Sequence, residues 1–315
     1  MTLKTFRPLP LTLAIAILTL VACLPAEARA QSCCAASQTA GPVRLSLSET
    51  AALGLSLDAR VYTGRFAGPD YRRLEHPSRE FRQTLFGAMR LGESWQVGAT
   101  LPLIENHRRT LDDAEWGAGL GDLALQARYE FVATGMSMRL PGLAIAATTT
   151  LPTGRSPAQS LARGQSHLLA DVSGTGLWEV GAGPQAEWIF GKAFLASEVG
   201  VYKAFSASGT GSKSLRWTGR LSFGRPIPLP LFWDEALYLA ASANISHGGA
   251  SYQGGSPIPE TLERATSLSV QAGAYLSENT YLMLRATFDL PFDHTGHARQ
   301  IGPGAGLLLK RVFHD

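Results

Sequence analysis

The sequence predicts an all-β chain, a transmembrane antiparallel up-and-down β-barrel of about 12 strands. Three observations carry this. Apolar and polar residues alternate over one segment after another, the period of a strand whose two faces meet different surroundings. Beyond residue 30 no apolar run approaches the ~20 residues that a membrane helix needs. The connections between segments run long, short, long, short, as in barrels with brief periplasmic turns and long extracellular loops. A soluble β-sandwich is the alternative, but it has no reason to place every long loop at one end.

Residues 1–30 stand apart. Lys4 and Arg7 precede an apolar run over 11–24, and Ala28-Arg29-Ala30 supplies a small-x-small cleavage pattern. This predicts a signal peptide cut after Ala30, with a competing lipoprotein-type site from Leu20 to Cys23. Removing Lys4, Arg7, Glu27 and Arg29 leaves a net charge of +1, with no basic tail or patch to hold nucleic acid. Charged residues make up only 17% and there are 33 glycines, which fits an exported barrel whose strands give half their residues to an apolar surface. Cys33 and Cys34 remain, side by side in a stretch of small residues. Two thiolates are too few for a structural zinc, so a disordered leader with a vicinal or intermolecular disulfide is the plainer reading. Residues 31–50 are expected to form a flexible or short helical lead-in, with Ser48 capping a turn or two over 46–53. The barrel is expected over 51–315.

The clearest strand is "GLGDLALQARYEF", Gly119 to Phe131. It places Leu123, Leu125, Ala127, Tyr129 and Phe131 on one face, and Asp122, Gln126, Arg128 and Glu130 on the other. The apolar set is assigned to lipid, because a basic side chain at the bilayer midplane costs about 2–4 kcal/mol. "LGLSLDARVYT", "EFRQTLFGAMRLG" and "SWQVGATLPLI" precede it with the same alternation. "GLAIAATTTLP" follows, and "LWEVGAGPQAEWIF" then sets Trp178, Val180, Ala182, Ala186, Trp188 and Phe190 against Glu179, Gln185 and Glu187. "AFLASEVGVYKAF", "LRWTGRLSFG", "ALYLAASANIS", "ATSLSVQAGAYL", "TYLMLRATFDL" and "IGPGAGLLLKRVF" complete the set. Short turns are expected at 92–94, 133–141, 191–192, 225–235 and 277–279. Long loops are expected at 64–79, 106–119, 152–176, 206–214, 248–263 and 291–299. Gly191-Lys192 reads as a two-residue hairpin, and 225–235 is a proline-rich exception. Trp95, Phe131, Trp188, Phe190, Phe205, Trp217, Tyr238 and Phe313 fall near strand ends and are assigned to interfacial girdles.

Function in such a barrel belongs to the lumen. The inward candidates are Asp58, Arg60, Arg82, Arg90, Asp122, Gln126, Arg128, Glu130, Glu179, Glu187, Glu198, Lys203, Arg216, Arg220, Arg285, Asp289 and Lys310. Both signs occur in similar number, which reads as a self-neutralising ladder of cross-strand pairs. No catalytic set is assigned. "ISHGGASYQG" and "DHTGH" offer histidines beside serine or aspartate, without the spacing of a barrel hydrolase. His76, His107, His167, His247, His294 and His297 all fall in or beside expected outer loops, where a polar residue needs no further explanation.

"GAGLGDLALQARYEF", "TTTLPTGRSP" and "SGTGLWEVGAGPQAEW" occur in that order. Together they resemble a family of outer-membrane transporters associated with phenol meta-cleavage pathways, from about Leu53 to the C-terminus. The resemblance implies a barrel that takes up hydrophobic or aromatic small molecules, and it carries over no substrate residues. The expected partners are outer-membrane lipid, a small-molecule solute, and the barrel-assembly machinery through the C-terminal strand. No cofactor, metal or nucleic acid is expected. The end departs from the pattern, because His314-Asp315 follow the aromatic Phe313.

Overall fold

The computed structural model describes residues 43–314 apart from 68–69, 111–112, 135–139, 161–167, 207–210, 229–235, 254–255, 259–261 and 291–296. The expected signal peptide, Cys33 and Cys34 lie outside the described residues.

The first three strands are β1 (Ala51–Ala67), β2 (Asp70–Leu91) and β3 (Trp95–Arg109). β4 comes in two pieces, Ala114–Leu120 and Leu123–Val132. β5 (Gly142–Leu151), β6 (Trp178–Phe190) and β7 (Ala193–Phe205) follow. β8 joins Gly211–Lys213 to Arg216–Pro228, β9 joins Ala236–Gly248 to Ser251–Gln253, and β10 joins Ser256–Pro257 to Glu263–Ser277. β11 is Thr280–Leu290, and β12 joins His297–Ile301 to Gly304–Phe313. Each strand pairs antiparallel with the next, and β1 pairs with β12 from Ala51 opposite Phe313 to Arg60 opposite Gly304. The sheet therefore closes on itself and leaves no edge.

The side chains are sorted inside-out relative to a soluble protein. Leu53, Leu85, Leu221 and Leu284 are 52–61% exposed, while Arg128 and Glu130 are 5% and 6%. A sandwich would bury the leucines and expose the charges, so this surface fits lipid. In the clearest strand the two faces fall as assigned: Leu125 and Phe131 are exposed outward, and Arg128 and Glu130 are buried inward. The girdle residues Trp95, Phe131, Trp188, Phe190, Phe205, Trp217 and Phe313 are exposed on the outer face. Tyr238 is a correction. It lies two residues from the inward Ala240, on the same face, and is 5% exposed inside the lumen.

The turns at one end are short, and Gly92 (φ 66°) and Gly191 (φ 61°) take the left-handed backbone that glycine adopts without penalty. At the other end most of the expected long loops prove to be strand. β1 runs to Ala67 and β2 begins at Asp70, so 64–79 is a paired hairpin. There polar side chains dominate, apart from Phe66 packed on Tyr71, and the alternation disappears, yet pairing still satisfies the backbone. Only 152–177 is a long loop among the described connections. The helix expected over 46–53 is absent, since Ala51 already belongs to β1 and 43–50 run irregularly into the lumen.

Candidate functional site

The lumen is built in three storeys. The lowest is the segment 43–50, threaded inside the barrel at the short-turn end. Gln96, pointing inward from β3, treats Leu45 as a neighbouring strand would: Leu45 N donates to Gln96 Oε1 at 3.1 Å and Gln96 Nε2 donates to Leu45 O at 3.1 Å. Lys310 Nζ donates to Arg44 O at 2.9 Å and pairs with Glu49 Oε2 at 3.2 Å, with both side chains out of water. Arg44 pairs with Glu187, which also accepts from Thr134 Oγ1 at 2.9 Å. Arg90 reaches Glu130 Oε2 at 2.7 Å and Ser46 O at 2.8 Å, and Glu130 pairs in turn with Arg128. Arg128 Nε donates to Gln185 Oε1 at 2.7 Å, and Gln126 packs beside Arg44 and Arg128. Leu45 itself packs on Ala52, Ala88 and Val312. A buried charge is tolerable only when paired and hydrogen-bonded, and each of these is.

Above the segment lies an apolar layer of Phe86, Phe194, Tyr238, Tyr281, Met283 and Leu308. Three of its rings lie flat against the wall because the next strand offers a glycine. Phe86 covers Gly54, Phe194 covers Gly224 and Tyr281 covers Gly273, and a methyl group at any of the three glycines would overlap the ring. Arg216 repeats the theme higher up. It stacks on Tyr202, with Cζ 4.7 Å from the ring centroid, and pairs with Glu179 at 2.5 Å.

The uppermost storey is a cavity of about 580 Å³. Asp58, Arg60, Glu80, Arg82, Arg220 and Arg285 are its charged lining, with Met283 and Leu308 among its apolar contacts. It borders β1, β2 and β8–β12 only. The β3–β4 side is occupied by residues 168–177, ahead of β6, which fold back into the barrel mouth. Asn106 Nδ2 holds the carbonyls of Ala170 and Val172 at 3.1 and 3.0 Å, and the bare backbones of Gly117 and Gly119 make room for Asp171 and Ser173. β4 is bulged at this point: Leu103 faces Leu120 but Thr100 faces Ala124, so Gly121–Leu123 oppose only two residues of β3.

The glycines of "GPGAG" have a role that spacing alone does not disclose. Asp58 on β1 crosses β12 above Gly306 to pair with Arg285 on β11, and Arg60 crosses beside Gly304 to reach Asp289 at 3.6 Å. A side chain at Gly306 would stand in the way of Asp58, whereas at Gly304 it would come only into ordinary contact with Arg60.

The expected lumen residues thus separate by place. Asp58, Arg60, Arg82, Arg220 and Arg285 face the cavity, and Asp289 stands behind it. Glu198 is on the inner face of β7, opposite Arg220. Arg90, Gln126, Arg128, Glu130, Glu187 and Lys310 belong to the lowest storey. Asp122 is spent on the loop, accepting from Gly154 N at 3.0 Å and Thr175 N at 2.8 Å. Lys203 is a correction: odd-numbered residues of β7 point outward, and Lys203 lies opposite the exposed Val180. It stands near the loop end, where a lysine can extend into headgroups. Arg44, Glu49, Glu80, Gln96 and Asn106 were not among the expected residues. The parity of β2 already places Glu80, the first residue of its expected strand, inward, and the parity of β3 continued past its expected end would have found Asn106. His247 faces outward and accepts from Arg264 Nε at 3.1 Å. His167 and His294 lie outside the described residues.

No family model matches the chain, and no curated protein matches it. Among solved structures, the COG4313 outer membrane channel from Pseudomonas putida F1 superposes with a TM-score of 0.66 at 16% identity, over 85% of this chain and 97% of that one. This chain is a β-barrel of the outer-membrane kind. The barrel shares its fold with that channel. Two further matches are more remote. The β domain of the Bordetella autotransporter BrkA matches at TM-score 0.45 and 13% identity, over 83% of this chain and 100% of that one. The CymD monoaromatic hydrocarbon channel matches at TM-score 0.39 and 10% identity, over 85% and 90%.

Proposed function

We propose that this chain is an outer-membrane passage for small molecules, and that its solutes carry an anionic group on a small hydrophobic or aromatic body. The observation that supports the anionic group is the order of exposure within the ion pairs around the cavity. Arg82 is 44% exposed and Glu80 18%, Arg285 37% and Asp58 28%, Arg60 36% and Asp289 5%. Each pair holds one charge of either sign, but the guanidinium is nearer the water each time. A solute entering the cavity meets donors arranged for a carboxylate. Met283 and Leu308 offer its apolar end a surface. The resemblance to transporters associated with phenol meta-cleavage favours the same body. Reversal potentials in planar bilayers under a salt gradient test the sign, and proteoliposome swelling in benzoate against benzylamine tests the solute. The expectation is anion preference and faster benzoate entry; a cation preference would sink the reading.

A second reading, a barrel that closes its own lumen and transports nothing, is supported by the lowest storey. Leu45, Glu49, Gln96, Lys310 and Val312 are all at most 2% exposed. On the transport reading, 43–50 must move for a solute to pass. Absence of any conductance, in the intact chain and in variants that loosen this segment, would favour the closed barrel.

A further inference from the structure

The outer wall at the loop end of β1–β3 carries cations where a lipid-facing surface has no use for them. Arg65 and Arg72 are direct cross-strand partners, and both are exposed. Arg79 and His107 are a second directly opposed pair, and Arg109 follows on the same face as His107. Like charges placed opposite one another destabilise a sheet. Arg65, Arg72, Arg79 and Arg109 make no ion pair or side-chain hydrogen bond with another described residue. Of the acids on this face, Glu105 is held by Gln83 Nε2 at 3.3 Å, and Asp70, two residues from Arg72, makes no ion pair with a described residue. His107 in turn lies opposite Trp116, which is 67% exposed on the outer face. An outward tryptophan at a strand end marks the membrane–water interface. Arg79 and His107 are therefore level with that interface, and Arg65 and Arg72 stand beyond it. A groove of about 220 Å³ lies at the Arg79–His107 pair, lined also by Val61, Phe81, Glu105 and Trp116.

We propose that this face docks the phosphate groups of the phosphorylated glycolipid of the outer leaflet. A phosphate between Arg65 and Arg72 turns a repulsive pair into a charge-assisted clamp, for which the guanidinium fork is suited, and another can sit against Arg79 with the His107 ring as a further hydrogen-bonding group. The groove beside Phe81 and Trp116 takes the apolar part of the same molecule. A membrane lipid satisfies both features, whereas free phosphate leaves the groove unused. The patch is outside the barrel, on the opposite side of the wall from the solute cavity, so it stands whether or not the transport reading does.

The test uses the full chain in phosphatidylcholine vesicles. Binding and the unfolding midpoint, read from heat-modifiable gel mobility, are measured with added diphosphoryl lipid A, with its dephosphorylated form, and with inorganic phosphate. The wild type is expected to be stabilised by diphosphoryl lipid A alone. The triple variant Arg65→Ser, Arg72→Ser, Arg79→Gln should bind it about a hundredfold more weakly, since each arginine at an anionic surface contributes about a factor of five. Its midpoint in pure phosphatidylcholine should match or exceed that of the wild type, because the repulsion is gone. Equal lipid A binding by variant and wild type overturns the proposal. So does equal stabilisation by the dephosphorylated lipid or by inorganic phosphate.

Discussion

Adjacent residues on one strand of this barrel face opposite solvents, which makes the sorting testable one position at a time. Leu85 is 59% exposed to lipid, whereas its neighbour Thr84 lines the cavity. Leu85→Arg should lower refolding yield in lipid, at a cost of about 2–4 kcal/mol near the midplane, while Thr84→Arg should refold and change only conductance. Equal yields in a heat-modifiability assay would mean the faces are misassigned. Leu125→Arg should behave like Leu85→Arg. Gln126 is a poorer inward control, because it packs against Arg44 and Arg128 and a third cation there has no counter-charge. The glycines under rings give a second contrast. Gly273→Ala must lift the Tyr281 ring off the wall, and overpacking of this kind costs about 1–3 kcal/mol. Gly219→Ala meets nothing within 4 Å and should be neutral. Thermal midpoints of the two variants check this.

Among the elements, the segment 43–50 is the one whose behaviour decides between an open and a closed barrel. Its attachment is polar and buried, centred on Lys310 and Glu49. Lys310→Met leaves Glu49 beside Ser46 N but without its cation, and breaking one side of a buried pair costs about 3–5 kcal/mol. The expected outcome is a loosened segment: a larger single-channel conductance and faster proteolysis ahead of Ala51. Adding Glu49→Gln removes the stranded charge and should recover most of the lost stability. If both variants conduct like the wild type, the segment is not the barrier. Nothing in "VRLSLSET" announces this role. Successive contacts run to different strands (Gln96 on β3, Glu187 on β6, Lys310 on β12), so no periodicity marks a partner.

For the molecule as a whole, closure of the sheet is what makes the charge arrangement meaningful. The sequence lists acids and bases in near balance, and from that list a neutral ladder is the fair expectation. Closure brings β11 and β1 to either side of the glycines of β12, and the ladder becomes asymmetric, with arginines toward the cavity and carboxylates behind. Arg82→Gln and Arg285→Gln should each reduce the anion preference in reversal-potential measurements while leaving assembly intact, because both lie at the water-accessible wall. Asp289→Asn should do less, since that carboxylate is 5% exposed. Unchanged selectivity in both arginine variants would show that the cavity is not on the permeation path.

Alternation was enough to establish the barrel, the faces of its strands and most of the lumen residues, because a strand repeats every two residues whatever surrounds it and lipid and water select opposite side chains. Lys203 departs from the rule that charges point inward, because at the loop end of its strand a long lysine on the outer face still reaches the headgroups. The loop end was harder to read: 64–79 and 106–119 are mostly polar, with apolar residues such as Phe66 and Trp116 too few to keep a period, so pairing continues there without a pattern to betray it. The threading of 43–50, the infolding of 168–177 and the pairs that leap across Gly304 and Gly306 could not be seen in the chain at all. They depend on which strands come to face each other once the sheet closes, a distance through space that spacing along the sequence does not encode.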